Sequence, residues 1–354
     1  VNVLTSYIVR EVLKGSLAAL AILLTLFNLF TLSDELKDLG VGSYGLKEIF
    51  LYLMLVSPRV IYELIPSSAL LGSLFVVGAM GNHREIVAMR AAGLSIFWVI
   101  KAVMLAGVVL LIIAVFVGEF IAPEAERKAQ LLRINAQNKV VMQSKHGLWL
   151  REGRQFINVR KIQGKEQLAE IYIYQMNELN RLERVSQVKQ ARFMGNERWR
   201  MQGIKQTEIS TQQIFSSSKE QMDWETLIDP DLLSVVVVKS ENMSLYGLFM
   251  YIDFLQKNNQ KSQTYELAFW SRLINPLVTF VMLMVSIPFV VGASRGVGTG
   301  GRMMIGIIIG MTFNIFDKIA GHVGLVYGFN PMLMAILPTM LVFFCAVYAV
   351  SRVR

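Results

Sequence analysis

The sequence predicts a membrane α-helical protein with six transmembrane helices, divided three and three by an inserted antiparallel β domain of about 140 residues. Three observations predict it. Of the 354 residues, 54% are hydrophobic and 17% charged, far from the balance of a soluble domain. Long uncharged runs fall into two groups, one towards each end of the chain. Between the groups, the apolar residues change from unbroken runs to alternation.

Each span follows from length, since about 20 residues at 1.5 Å each cross a hydrocarbon core of roughly 30 Å. Residues 15–32 carry no charge. Arg10 and Lys14 before them could open a signal peptide, but the run is longer than a usual signal core and no small-x-small cleavage site follows, so a retained first helix is expected. The second span is expected at 64–80, the third at 102–118 with an extension back to Ser95, and the fourth at 273–294. The fifth starts at Met303 and meets Asp317 and Lys318 near its far end; the sixth runs over 332–351. Tyr327-Gly328-Phe329-Asn330-Pro331 supplies the turn between the last two.

Basic residues set the orientation. Arg10, Lys14, Arg84, Arg90, Lys101, Arg295, Arg302, Arg352 and Arg354 all flank one side, and the loop after the fifth span has no Lys or Arg. The positive-inside rule then places both termini in the cytoplasm and the insert outside, in the periplasm of a two-membrane bacterium. The expected organisation is 1–122 with a connector at 82–93, a periplasmic domain at 123–266 with connecting helices, and 267–354.

The insert reads as short alternating runs bounded by turn residues at intervals of about ten: GLWLREG, QFINVRKIQG, AEIYIYQMNE, LERVSQVKQARFMG, ERWRMQGIKQTEIS and LSVVVVKS. That pattern suits an antiparallel sandwich or jelly roll, with a strand order that the pattern does not give. Over 122–266 there are 21 Lys+Arg against 17 Asp+Glu, a mixed surface that argues against nucleic acid. Cys345 has no partner for an internal disulfide and belongs to no zinc-spaced cluster.

No GxxxxGK[ST], HExxH or GxSxG motif is present. Gly296, Gly298 and Gly301 match GxGxxG, but they join two spans where a dinucleotide site needs a strand and a βαβ unit. His83, His146 and His322 are scattered. No catalytic residue and no metal site is expected.

Two clusters of charge remain. The stretch 81–93, GNHREIVAMRAAG, forms a short helix between two spans, with Ile86, Met89 and Arg90 able to share a face and Glu85 beside them. It is either an ordinary amphipathic connector or a helix docked into a cytoplasmic ATPase. At the opposite side, Lys37, Arg59, Arg127, Lys128 and Arg133 fall near the ends of the first three spans. They either snorkel to the interface, with Glu124 and Glu126 available to pair Arg127 and Lys128, or meet the anionic head group of an amphiphile.

Over its whole length the chain resembles the LptF/LptG family of lipopolysaccharide-export permeases. The resemblance is carried by REIVAMRAAGLS at 84–95, GEFIAPEAERKA at 118–129, FINVRKIQGKEQLAEIYIY at 156–174 and FDKIAG with LVYGFNP at 316–331. The last is closer to the LptG branch. The resemblance implies six transmembrane helices with a periplasmic β-jellyroll in the bacterial inner membrane. It also implies one half of a heterodimer with LptF, seated on a dimer of the ATPase LptB, which binds the ATP and Mg²⁺, and working with LptC and the bridge protein LptA. The implied function is extraction of lipopolysaccharide and its delivery towards the outer membrane. Transferred position by position, Arg84, Glu85, Met89 and Arg90 couple to the ATPase, and Lys37, Arg59 and Arg133 meet the lipid head group. The chain departs from the family in having Lys37-Asp38 where LptG proteins can carry a lysine pair. Two rival classes are a membrane-anchored sensor, which lacks a cytoplasmic signalling domain here, and a sugar-modifying enzyme, which needs two of Glu152, Glu166 and Glu183 to converge.

Overall fold

The computed structural model describes residues 2–137, 148–162, 167–179, 181–195, 198–210, 213–226, 240–258, 260–291 and 299–352. The first half holds α1 (Asn2–Glu35), a 3-10 turn (Leu36–Asp38), α2 (Leu46–Asn82), the short α3 (Glu85–Ala91), α4 (Ile96–Phe116), a π turn (Val117–Ile121) and α5 (Ala122–Ala136). Six strands follow, then α6 (Leu245–Lys257), α7 (Gln263–Val291), α8 (Thr299–Tyr327) and α9 (Pro331–Ser351). Among the described residues six helical stretches are long and apolar enough to cross a membrane.

The helices outrun the apolar windows. At 34 residues, α1 begins at Asn2, well before the uncharged run, and ends at Glu35, just after it. The 37-residue α2 starts 18 residues before its expected span and contains Pro58 and Pro66. Pro58, followed by Arg59 and Glu63, hid its first half; neighbouring helices make such breakers tolerable in a membrane. The turn before α9 forms as expected: Gly328 has φ +68°, and Asn330 Oδ1 accepts from the Met332 amide at 2.9 Å, with Pro331 at the first helical position.

The chain forms two compact units. The helical unit comprises Val1–Asp38, Ile49–Glu126 and Gln263–Arg354. Its centre is α2. Ile65, Ala69 and Val76 pack with Ile8 and Val12 of α1 and Ala102 and Ala106 of α4, while Leu70 and Leu74 pack with Val278 and Met282 of α7 and Ala335 of α9. Where α1 crosses α2 the backbones nearly touch. A Cβ on Gly72 would lie 2.2 Å from the Ser16 nitrogen, and one on Gly15 would lie 2.5 Å from Val76 Cγ2. Close approach of this kind is how small residues join membrane helices when no hydrophobic effect drives them together.

The β unit comprises Leu39–Glu48 and Arg127–Ser262. Its strands are β1 (Leu148–Glu152), β2 (Gln155–Ile162), β3 (Gln167–Met176), β4 (Leu182–Gly195), β5 (Arg198–Ile209) and β6 (Ile214–Glu225), paired antiparallel in sequence order. Val159 faces Ile171, Ile171 faces Val188 and Val188 faces Ile204. All are buried, so one apolar row fixes the register across four strands. The inserted antiparallel β domain is as expected, with one correction. A strand at 214–225 is not predicted by the sequence, because Ser216, Ser217, Ser218, Lys219, Glu220 and Gln221 show no apolar alternation. The strand forms because backbone pairing with β5 needs no such pattern, and it stays exposed from Ile214 to Gln221 at the sheet edge. The expected strand at 233–240 lies, apart from Ser240, outside the described residues, as do His146, Glu166, Arg295, Gly296, Gly298 and Arg354.

Candidate functional site

The proposed head-group cations are engaged locally. Lys37, on the turn after α1, donates to Asp34 Oδ1 at 2.8 Å, and both side chains are about three-quarters exposed. Such a pair contributes little and exchanges readily. Arg59 of α2 is held harder: it donates to Glu63 Oε1 at 3.0 Å, one turn on, and its Nε lies 3.2 Å from Oε2 of Glu126 on α5. Glu126 is buried, with 2% exposure. Arg133 sits in the last turn of α5, half-buried, within the β unit. The structure therefore brings Arg59 together with two carboxylates and leaves Lys37 in a separate, exposed pair.

A buried knot, absent from the sequence reading, lies between α4 and α5. The π turn Val117–Ile121 contains Gly118 and Glu119. Arg272 of α7, 8% exposed, donates to Glu119 Oε1 at 2.6 Å and to the Gly118 carbonyl. The guanidinium also lies 5.3 Å from the ring centre of Tyr62, whose hydroxyl donates to the Arg272 carbonyl at 3.0 Å. Gly118 must lack a side chain, since a Cβ would come within 2.6 Å of the Tyr62 ring. The π hydrogen-bond pattern displaces backbone carbonyls from their usual partners, and Arg272 supplies donors there. The available signal was an arginine next to the apolar run of the fourth span, where ionisable groups are costly and need a partner.

Arg302 is a second correction. Expected from the sequence as a cation flanking the cytoplasmic side, it is 2% exposed. It donates to the Gly78 carbonyl at 2.9 Å and to Asn82 Oδ1 at 3.3 Å, tying the start of α8 to the last turn of α2. Guanidinium donors suit a helix C-terminus, where carbonyls lack partners and the dipole is negative.

From that turn the chain enters α3. Arg84 takes the left-handed conformation at φ 61°, and Gly93 closes the connector at φ 87°. Ile86 and Met89 point inward, packing with Ile8 and Val12 of α1 and Val99 of α4. Met89 therefore does not share an outward face with Arg90. That face consists of Arg84, Val87, Ala88 and Arg90, with Val87 61% exposed. Glu85 is partly covered: it accepts from the Tyr7 hydroxyl at 3.2 Å, and His83 Nδ1 lies 3.9 Å from its other oxygen. Val87 is thus an exposed apolar residue flanked by Arg84 and Arg90, with the Glu85 carboxylate partly exposed beside it.

A family profile described as lipopolysaccharide export system permease LptF/LptG matches residues 6–352. This chain belongs to the LptF/LptG family. Lipopolysaccharide export system permease protein LptG of Escherichia coli (strain K12) is 31% identical over 354 residues, covering 99% of this chain and 98% of that protein. The LptG of Haemophilus influenzae is 29% identical over 356 residues, covering 100% and 99%. LptF of Escherichia coli (strain K12) is 34% identical over 112 residues, covering 32% of this chain and 31% of that protein.

Membership of a lipopolysaccharide export permease family gives the six apolar helices and the inserted sheet a common purpose, in a multi-pass inner-membrane protein. It also bears on the enzyme alternative. Glu152 and Glu183 do line one open groove of the β unit, with Arg154 and Glu178, but Glu152 accepts from Thr226 Oγ1 at 2.5 Å and Glu178 is paired with Arg154 at 3.4 Å. Each of these two carboxylates is thus engaged by a neighbour within the β unit, and the relatives are named as permeases.

Proposed function

We propose that this chain is the LptG-type transmembrane subunit of an ABC transporter that extracts lipopolysaccharide from the inner membrane and passes it to a periplasmic β-jellyroll bridge. The observation that carries the reading is the full-length match to LptG proteins, against a match to LptF over about a third of the chain. Its partner half is LptF, its ATPase is LptB, which holds ATP and Mg²⁺, and the outward route runs through LptC and LptA. Both termini are cytoplasmic and the β unit is periplasmic.

The physical demands fit this division of labour. Drawing an acyl chain into water costs about 0.8 kcal/mol per CH₂, so a lipid with several chains needs an apolar receiving wall and an external energy source. The wall is supplied by the unpacked faces of α1, with Leu17, Ile22, Leu29 and Phe30, and of α8, with Met304, Ile308, Met311 and Ile315. The energy enters through α3, whose Arg84, Glu85, Val87 and Arg90 dock into a groove of the ATPase while Met89 anchors the helix from within. Lys37, Arg59 and Arg133 meet lipid phosphates at the outer end. The exposed edge of β6 receives the next β domain by strand addition.

Co-purification tests this reading. The chain, expressed with an LptF-type partner, should retain a soluble ATPase whose activity rises with lipopolysaccharide. A heterodimer that binds no ATPase, or an ATPase indifferent to the lipid, would remove the reading.

A further inference from the structure

The π turn fixes which face of α5 meets α2. A π turn holds one residue more than the α turn it replaces, and one residue of α-helix is about 100° of rotation. Every side chain after Ile121 is therefore turned by about that angle from where an uninterrupted helix would put it. Glu126 follows the turn by five residues and reaches Arg59 only in this register, with Nε and Oε2 3.2 Å apart. Arg59 Nε and Glu126 Oε2 have the separation of an ion pair, five residues beyond the turn itself. The groups on the turn are those of Arg272, which donates to the Gly118 carbonyl and to Glu119, and the Tyr62 ring, which fills the space a Gly118 side chain would take.

We infer that Arg272 is a positioning residue: by holding the π register it keeps the Glu126 carboxylate on Arg59. In the reading of Arg59 as a head-group cation, on which the functional half of this inference rests, Glu126 covers the guanidinium that lipid phosphate must reach. The register of α5 then sets how open that cation is. If the turn relaxes to α, the place of Glu126 passes to Ala125, which carries no charge to compete with phosphate.

Crosslinking with a short bifunctional methanethiosulfonate reads the register directly, on the full chain with its partner half and Cys345→Ser. Arg59→Cys is combined with Glu126→Cys or with Ala125→Cys. With Arg272 intact, position 126 should crosslink and position 125 should not. With Arg272→Met the preference should reverse, and deletion of Phe120, which removes the extra residue while leaving Gly118 and Glu119, should restore position 126. Rescue by a deletion is not expected of a residue that is merely structural. Unchanged crosslinking at 126 in Arg272→Met overturns the inference. So does loss at both positions without rescue in a chain that stays monodisperse.

A second arm separates the two halves. Binding of hexa-acyl lipid A with both phosphates to nanodiscs should strengthen about fivefold in Glu126→Gln and in Arg272→Met, with no further gain in the double variant, as expected when two changes act through one contact. A reversed and rescued crosslink without any change in binding would leave the register inference standing and remove Arg59 from the head-group site. An unreversed crosslink overturns the inference whatever the binding shows.

Discussion

Tyr7 and Glu85, 78 residues apart in the chain, are joined by a hydrogen bond of 3.2 Å from the tyrosine hydroxyl to the carboxylate. The bond ties α1 to α3, so Glu85 is presented by a fixed neighbour. A partner donor that meets this carboxylate and then loses it is left unpaired, at a cost of about 1 to 3 kcal/mol. Glu85→Ala should loosen the ATPase complex accordingly, and Val87→Glu should abolish it by placing charge at the centre of the surface. Met89→Ala should instead lower the thermal stability of the purified chain, on the order of 2 kcal/mol, since Met89 is core. Pull-down and melting measured on the same samples check this. Loss of docking without loss of stability in Met89→Ala would return Met89 to the docking face.

The crossing of α1 and α2 should be intolerant of a single methyl. In Gly72→Ala the added Cβ would meet the Ser16 backbone at 2.2 Å, and backbone cannot move aside as a flexible side chain can. The first helix should shift or detach, seen as a lower melting temperature in detergent and as loss of the Tyr7 to Glu85 contact in crosslinking between positions 7 and 85. A Gly72→Ala chain that melts normally would contradict the packing.

For the β unit, deletion of residues 140–238 removes the six described strands and should leave membrane insertion and ATPase docking intact while stopping onward transfer of lipid. Photo-crosslinkers placed along β6 should capture lipopolysaccharide or the next bridge component more strongly than those on the inner strands. A deleted chain that still delivered lipid would take the domain out of the route.

How much of this was legible in the sequence depended on whether a feature leaves a period. The six helices and the strands β1 to β5 did, through uncharged length and alternation. β6 did not, because an edge strand can satisfy its backbone with polar residues on both faces. The early half of α2 did not, because Pro58, Arg59 and Glu63 interrupt the apolar run without ending the helix. For the site, the residue types were visible and their engagement was not. Met89 and Arg302 turned inward for packing and capping, and the contact of Arg272 with Glu119 spans 153 positions, beyond any spacing rule.

The head-group assignment separates by charge. Each cation near phosphate should contribute on the order of 1 kcal/mol or more through charge-assisted contacts, and reversal adds repulsion to the loss. Lys37→Glu with Arg133→Glu should weaken lipid binding in nanodiscs well beyond Lys37→Gln with Arg133→Gln. The difference should shrink for dephosphorylated lipid A, whose acyl contribution is unchanged. Equal loss for both lipids would mean that these side chains only snorkel.

ATP-driven export of lipopolysaccharide can be reconstituted and measured. Proteoliposomes holding this chain with its partner half and the ATPase, loaded with lipopolysaccharide, should release the lipid to an added bridge protein only when ATP is present. Release should fall to background in Glu85→Ala, in parallel with lost docking. Lipid transfer that proceeds equally without ATP, or an assembly that hydrolyses ATP yet delivers no lipid to the bridge, would contradict the account.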